Sequence, residues 1–189
     1  MKDYFSKEDE KLKWTTGDSK ILLSTVVCNI TSRHNISAQG VEGDYITMEA
    51  PDWVIVIPEI DENFLMVKQW RHSSQCLSIE FPGGVIDKGE SPEEAAKREL
   101  EEETGIDKES VTPLYHLMDL AYYNTNNLIE CYVSRLTKEV ELVQETGGNE
   151  LEWISIDSAD FGNTEIFAGD GNILHCFLIA QHCREKHLF

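Results

Sequence analysis

The sequence predicts an α+β fold. Three observations lead there. Short β-branched and aromatic runs recur on both sides of residue 90, one segment between them carries both a helix start and a helix stop, and a helix-periodic stretch closes the chain. With 189 residues and 41% hydrophobic content, the chain is long enough to bury a core and is not disordered in composition. No apolar run approaches the roughly 18–20 residues that cross a membrane.

The first thirteen residues are rich in Lys, Asp and Glu and hold no apolar stretch of signal-peptide length. A cytoplasmic protein is therefore expected. Residues 21–30 read as one strand and 45–48 as a second, separated by the turn-rich residues 40–44. Residues 1–48 are expected to form an antiparallel extension, with 49–189 as the main domain.

Residues 53–57 and 64–70 read as a strand pair joined by a loop over 58–63. Residues 76–81 form a shorter strand, ended by Pro82-Gly83-Gly84, where the missing side chains let backbone approach a ligand or metal. Ser91 then serves as N-cap, Pro92 takes the first helical position, and Glu94 completes a capping box. Gly105 suits the stop. Strands are expected over 114–121, 129–135 and 151–156, and a closing helix over 172–186, with Ile173, Phe177 and Ala180 along one side.

A formal charge of −19 repels nucleic-acid phosphates, which excludes polynucleotide binding as the main role. A small anionic substrate would need local cations, such as bound metal or a few Arg and Lys. The five cysteines, Cys28, Cys76, Cys131, Cys176 and Cys183, are scattered and contain no Cys-x-x-Cys pair, so free thiols are expected. His116, His175 and His182 lie in strand or helix patterns without a partnering Cys or Ser motif, and packing or surface roles are expected of them.

The chemistry concentrates between Gly84 and Ile106, GVIDKGESPEEAAKRELEEETGI. On a helix from Pro92, Glu99 and Glu103 stack four apart on one face, with Glu102 on its flank. Such like charges repel unless a cation joins them. An oxygen-only cluster suits Mg²⁺, with Mn²⁺ as its substitute, whereas zinc would want His or Cys. Glu90 can fold back from the preceding loop, where Arg98 would hold it by a bidentate ion pair. Acidic helices are commonly just solvated surface, but that account leaves Gly84, the cap and the Arg–Glu pair unrelated.

These residues carry a resemblance. The segment is similar to the Nudix box, G-x5-E-x7-R-E-U-x-E-E-x-G-U with U aliphatic. Gly84, Glu90, Arg98, Glu99, Leu100, Glu102, Glu103, Gly105 and Ile106 fill every fixed position. The resemblance implies an α/β/α sandwich around a mixed sheet and hydrolysis of a nucleoside diphosphate linked to another moiety. It implies metal ligands at Glu99 and Glu103, with Glu102 and the Gly83 carbonyl added. The ions would neutralise diphosphate charge and lower the pKa of the attacking water.

Outside the box, residues 67–71 and 79–84 resemble the ADP-ribose pyrophosphatase branch. That likeness implies a phosphate contact for Arg71, a terminal-ribose or metal-positioning role for Glu80, and cleavage of ADP-ribose to AMP and ribose 5-phosphate. Trp53 and Trp70 are candidates for lining an adenine pocket, with core or interface packing as the competing role. Tyr122 stands where branch members often have proline, and a tyrosine thereabouts is associated with diadenosine-polyphosphate hydrolases; the Tyr122-Tyr123 pair is a candidate for stacking on a base, with a packed place in a strand or loop as the competing role. The general base is expected from the acidic stretch 145–152, with Glu150 preferred over Glu145 and Glu152. GDP-sugar hydrolysis and a non-catalytic nucleotide sensor are the alternatives. The branch also implies pairing into a homodimer through amino-terminal strands, here within residues 1–48.

Overall fold

The computed structural model describes residues 6–60, 63–72, 74–111, 114–121, 128–136 and 150–154. The expected closing helix over 172–186 lies outside the described residues. The chain divides into two compact units, the first running through Pro51 and the second beginning at Asp52. Among the described residues no helix is long and apolar enough to cross a membrane.

The first unit opens with a short 3-10 helix, Lys7–Leu12, capped by Ser6. A three-stranded antiparallel sheet follows, with β1 at Trp14–Ser24, β2 at Asn29–Ser37 and β3 at Glu42–Glu49, in the order β1-β2-β3. The expected single strand over 21–30 is therefore corrected to two strands. The Thr25 hydroxyl explains the break: it accepts the N–H groups of Val27 (3.2 Å) and Cys28 (3.0 Å) and donates to the Cys28 carbonyl at 2.8 Å. This side-chain turn supplies the backbone with an alternative to the ladder, and Val26-Val27 sits at its tip despite its strand-like composition. Thr31–Thr47 hydroxyl pairing at 2.8 Å and an Arg33–Glu49 ion pair at 2.7 Å tie β2 to β3.

The second unit is built on a mixed sheet. Its strands are β4 Trp53–Ile60, β5 Asn63–Arg71, β6 Cys76–Glu80, β7 Gly83–Val85, β8 Leu114–Ala121, β9 Leu128–Arg135 and β10 Glu150–Ile154. The spine runs β10-β5-β4-β9-β8, while β6 pairs with β5 and β7 with β4. β4 and β9 are parallel from Trp53↔Ile129 to Glu59↔Arg135, and the near-continuous burial of residues 54–59 is what a central parallel strand requires.

The loop expected over 58–63 is shorter than that, because β4 continues through Pro58 to Ile60 and β5 starts at Asn63. Alternate residues of β4 face opposite neighbours. The Glu59 carbonyl accepts from Leu136 on the β9 side, and the Val56 N–H donates to the Pro82 carbonyl on the other. Pro58 falls between the last β7 pair, Ile55↔Gly83, and the first β5 pair, Glu59↔Phe64. Its missing N–H therefore costs no ladder bond.

Helix α1, Pro92–Thr104, begins and ends as expected. Ser91 and Glu94 form the capping box, and Gly105 closes the helix in the left-handed region at φ 75°. Ala95, Ala96, Leu100 and Thr104 make its buried stripe, packed with Val54, Val56, Leu65, Ile106, Val111 and Tyr132. Fully burying Leu100 alone contributes about 1.5–3 kcal/mol, and this stripe fixes which helix face turns toward β7.

Candidate active site

β7 and α1 meet through two glycines, each required for a different reason. A Cβ on Gly83 would collide with the Val54 carbonyl oxygen and come within 3.0 Å of the Ile55 Cα, so only glycine lets β7 lie on β4 at this point. A Cβ on Gly84 would stand 2.5–2.6 Å from the Glu99 carboxylate. Helix and strand thus place a carboxylate where a side chain would otherwise be. One turn on, the Gly83 N–H donates to Glu103 Oε2 at 3.0 Å.

Arg98 is the hub of the cluster. Its Nε and Nη2 donate to the two Glu90 oxygens at 2.9 Å each, the bidentate pair expected from the spacing. Nη2 also donates to the Val85 carbonyl at 2.9 Å, and Nη1 reaches Glu99 Oε1 at 2.7 Å and Glu102 Oε2 at 3.2 Å. Arg98 holds the Glu90 carboxyl below its ordinary value. Burial pushes the Glu99 carboxyl up, against the downward pull of the same guanidinium.

A divalent cation fits this donor set. One guanidinium serves Glu90, Glu99 and Glu102, which leaves two negative charges uncompensated before Glu103 is added. The donors are all oxygen, as a hard ion prefers, and the space a Gly84 side chain would fill belongs to Glu99. The expected convergence of Glu99, Glu102 and Glu103 is only partly realised. Glu99 and Glu102 meet on Arg98, and Glu103 is drawn to β7.

The other expected residues are distributed as follows. Arg71 and Glu80 form an ion pair, with Arg71 Nε donating to Glu80 Oε1 at 2.6 Å and Nη2 to Oε2. Gln69 Nε2 adds a bond to Glu80 Oε2 at 3.2 Å, and Glu80 is buried. Trp70 is exposed and lies opposite Leu77, also exposed, across β5 and β6. Glu150 opens β10 opposite Lys68 instead of lying in the preceding loop. Tyr122 and Glu145 lie outside the described residues.

One group escaped the sequence reading. His116 Nε2 on β8 stands 2.8 Å from Asp119 Oδ1 and 4.0 Å from Glu130 Oε2 on β9. Among the described residues, this is where three potential metal-ligand atoms lie within 4.8 Å of one another. Spacing could not reveal it. Residues three apart on a flat strand face opposite ways, and Glu130 arrives only through the fold.

Comparisons with known proteins place the chain in a family. The family model described as "NUDIX domain" matches residues 49–175. An ADP-sugar pyrophosphatase of Mus musculus is 48% identical over 62 residues, which is 30% of this chain and 28% of that protein. An ADP-ribose pyrophosphatase of Bacillus subtilis (strain 168) is 43% identical over 65 residues, 34% of this chain and 35% of that one. The matched segments thus span about a third of these curated relatives. A crystal structure of an ADP compounds hydrolase superposes with a TM-score of 0.73 at 19% identity, covering 92% of this chain and 96% of the other, which establishes the shared fold.

Proposed function

The chain belongs to the NUDIX domain family, and on that premise we propose that it hydrolyses the diphosphate linkage of ADP-ribose or a related ADP-sugar, giving AMP and a sugar phosphate. The observation that carries this reading is the meeting of Gly83-Gly84 with Glu99 and Glu103, a backbone surface bare of side chains against a carboxylate pair. The names of the mouse and B. subtilis relatives support the ADP-sugar class.

Glu99, Glu103, Glu102 and the Gly83 carbonyl are the residues that would hold Mg²⁺, or Mn²⁺ in its place. Such an ion, when bound, neutralises diphosphate charge and acidifies its water. Arg98 keeps Glu90 and the loop before α1 in place, and its side chain restrains Glu99 and Glu102 before loading. Arg71 serves the substrate phosphates and is itself aimed by Glu80, which lets the two act as one unit. Trp70 and Tyr122 are proposed to contact the nucleoside, and Glu150 to take the proton from the attacking water. Cytoplasmic residence belongs to the same reading.

The test is AMP release with Mg²⁺ from ADP-ribose, an ADP-sugar, a diadenosine polyphosphate and a GDP-sugar. ADP-ribose or the ADP-sugar should show the highest kcat/KM, and turnover of none of the four would sink the substrate assignment. Glu103→Gln should lose most turnover while retaining substrate binding; a nucleotide sensor would be unaffected. We also propose that residues 1–48 pair with a second copy of the chain. Every residue of β1 is exposed, Ile21, Leu22 and Leu23 among them. A monomer in sedimentation at micromolar concentration would remove this element.

A further inference from the structure

We propose that His116, Asp119 and Glu130 form a second divalent-metal site, of the zinc and cobalt class, separate from the glutamate cluster on α1. The observation behind it is proximity of the right donor types. Three donor atoms, one imidazole nitrogen and two carboxylate oxygens, lie within 4.8 Å of one another, and His116 Nε2 faces both acids. A surface histidine satisfied by ion pairing needs one carboxylate. Two around the same nitrogen leave a negative excess that a dication removes.

The donors are also held in place from behind. The Tyr132 hydroxyl donates to Glu130 Oε2 at 3.0 Å, and its ring meets the His116 imidazole edge-on at a centroid distance of 5.2 Å. Tyr132 is only 7% exposed and packs with Ala95, Ala96 and Leu100 of α1. One buried residue therefore orients two of the three ligands, the arrangement by which proteins aim metal-binding side chains. Register does the rest: Glu130 lies opposite Val54 of β4, whose other neighbour is Gly84.

The donor chemistry sets this group apart from the α1 cluster. All-oxygen donors favour Mg²⁺, whereas a nitrogen with two carboxylates favours borderline first-row ions such as Zn²⁺ and Co²⁺. Three protein ligands leave a position for water, and the half-exposed His116 and Asp119 give an ion direct entry from solvent.

The experiment titrates Zn²⁺ into the full chain in saturating Mg²⁺, which occupies the α1 cluster, with stoichiometry read by calorimetry and the His116 ring by NMR. One equivalent should bind and shift that ring. His116→Ala and Asp119→Asn should each weaken binding at least about tenfold, and Tyr132→Phe, which keeps the packed ring, by about tenfold. Glu99→Gln should leave Zn²⁺ affinity within about twofold. Thermal unfolding without metal establishes that each variant folds; should His116→Ala fail to fold, Asp119→Asn carries the comparison. Zn²⁺ binding unchanged in the folded variants, absent from the wild type, or abolished by Glu99→Gln overturns the proposal.

Discussion

Replacing Gly84 by alanine separates the site's chemistry from its stability. The new Cβ would stand 2.5 Å from the Glu99 carboxylate carbon, and ordinary contact begins at 3.4 Å. The obstacle is the end of a flexible side chain, so Glu99 withdraws by about 0.9 Å and the backbone stays. Misplacing a group by about 1 Å at a reacting centre costs roughly a hundredfold in rate, about 2.7 kcal/mol in the barrier. Gly84→Ala should therefore lower kcat for ADP-ribose about a hundredfold with an unfolding temperature within a few degrees of wild type. Gly83→Ala is the control, because its Cβ strikes the Val54 backbone and must part β7 from β4. It should lower stability by about 1–3 kcal/mol, the cost of overpacking. AMP release and thermal unfolding on both variants read the two effects. A Gly84→Ala enzyme with near wild-type kcat, or one destabilised more than Gly83→Ala, would refute the reasoning.

Three further predictions rest on named contacts. Glu90 titrates below its ordinary value because Arg98 binds it, so its contribution to stability is present above the unfolded carboxylate pKa and is lost as pH falls through the folded one; Arg98→Lys should raise the Glu90 midpoint in carboxyl NMR and flatten the acid limb of stability. Arg71→Ala leaves Glu80 buried without its guanidinium and should cost about 1–3 kcal/mol, whereas adding Glu80→Gln should recover part of that loss; additive costs in chemical denaturation would deny the coupling. Leu100→Ala, at a fully buried position, should cost about 2–5 kcal/mol, read as a lower denaturation midpoint at constant m-value.

What could be read from the sequence was local. Ser91, Pro92, Glu94 and Gly105 specify α1 because each acts within one turn of itself, and the Arg98–Glu90 pair spans only eight residues, from the loop before the helix to its middle. The glycine–glutamate meeting could be anticipated in kind but not in detail, since Gly83 is forced by Val54, a residue far back in the chain. The turn at 25–28 was hidden because a hydroxyl makes it inside an apolar run. The Arg71–Glu80 pair depends on β5–β6 register, Arg71↔Cys76 and Val67↔Glu80. The His116 group needs β8 and β9 side by side, which no spacing rule supplies.

The parallel pairing of β4 with β9 has a consequence in time. Trp53 meets Ile129 across a long stretch of chain, and contacts of such sequence separation form slowly because loop closure must be completed before they stabilise anything. Helix α1 is local in sequence and samples its turns on a far shorter timescale, although a helix of this length is held mainly by its packed stripe. Its glutamates enter helical register before the sheet closes, but they acquire Gly83 and Gly84 as neighbours only when β7 docks on β4. During refolding, helical circular dichroism should return ahead of hydrolytic activity, with the interval set by closure of the sheet.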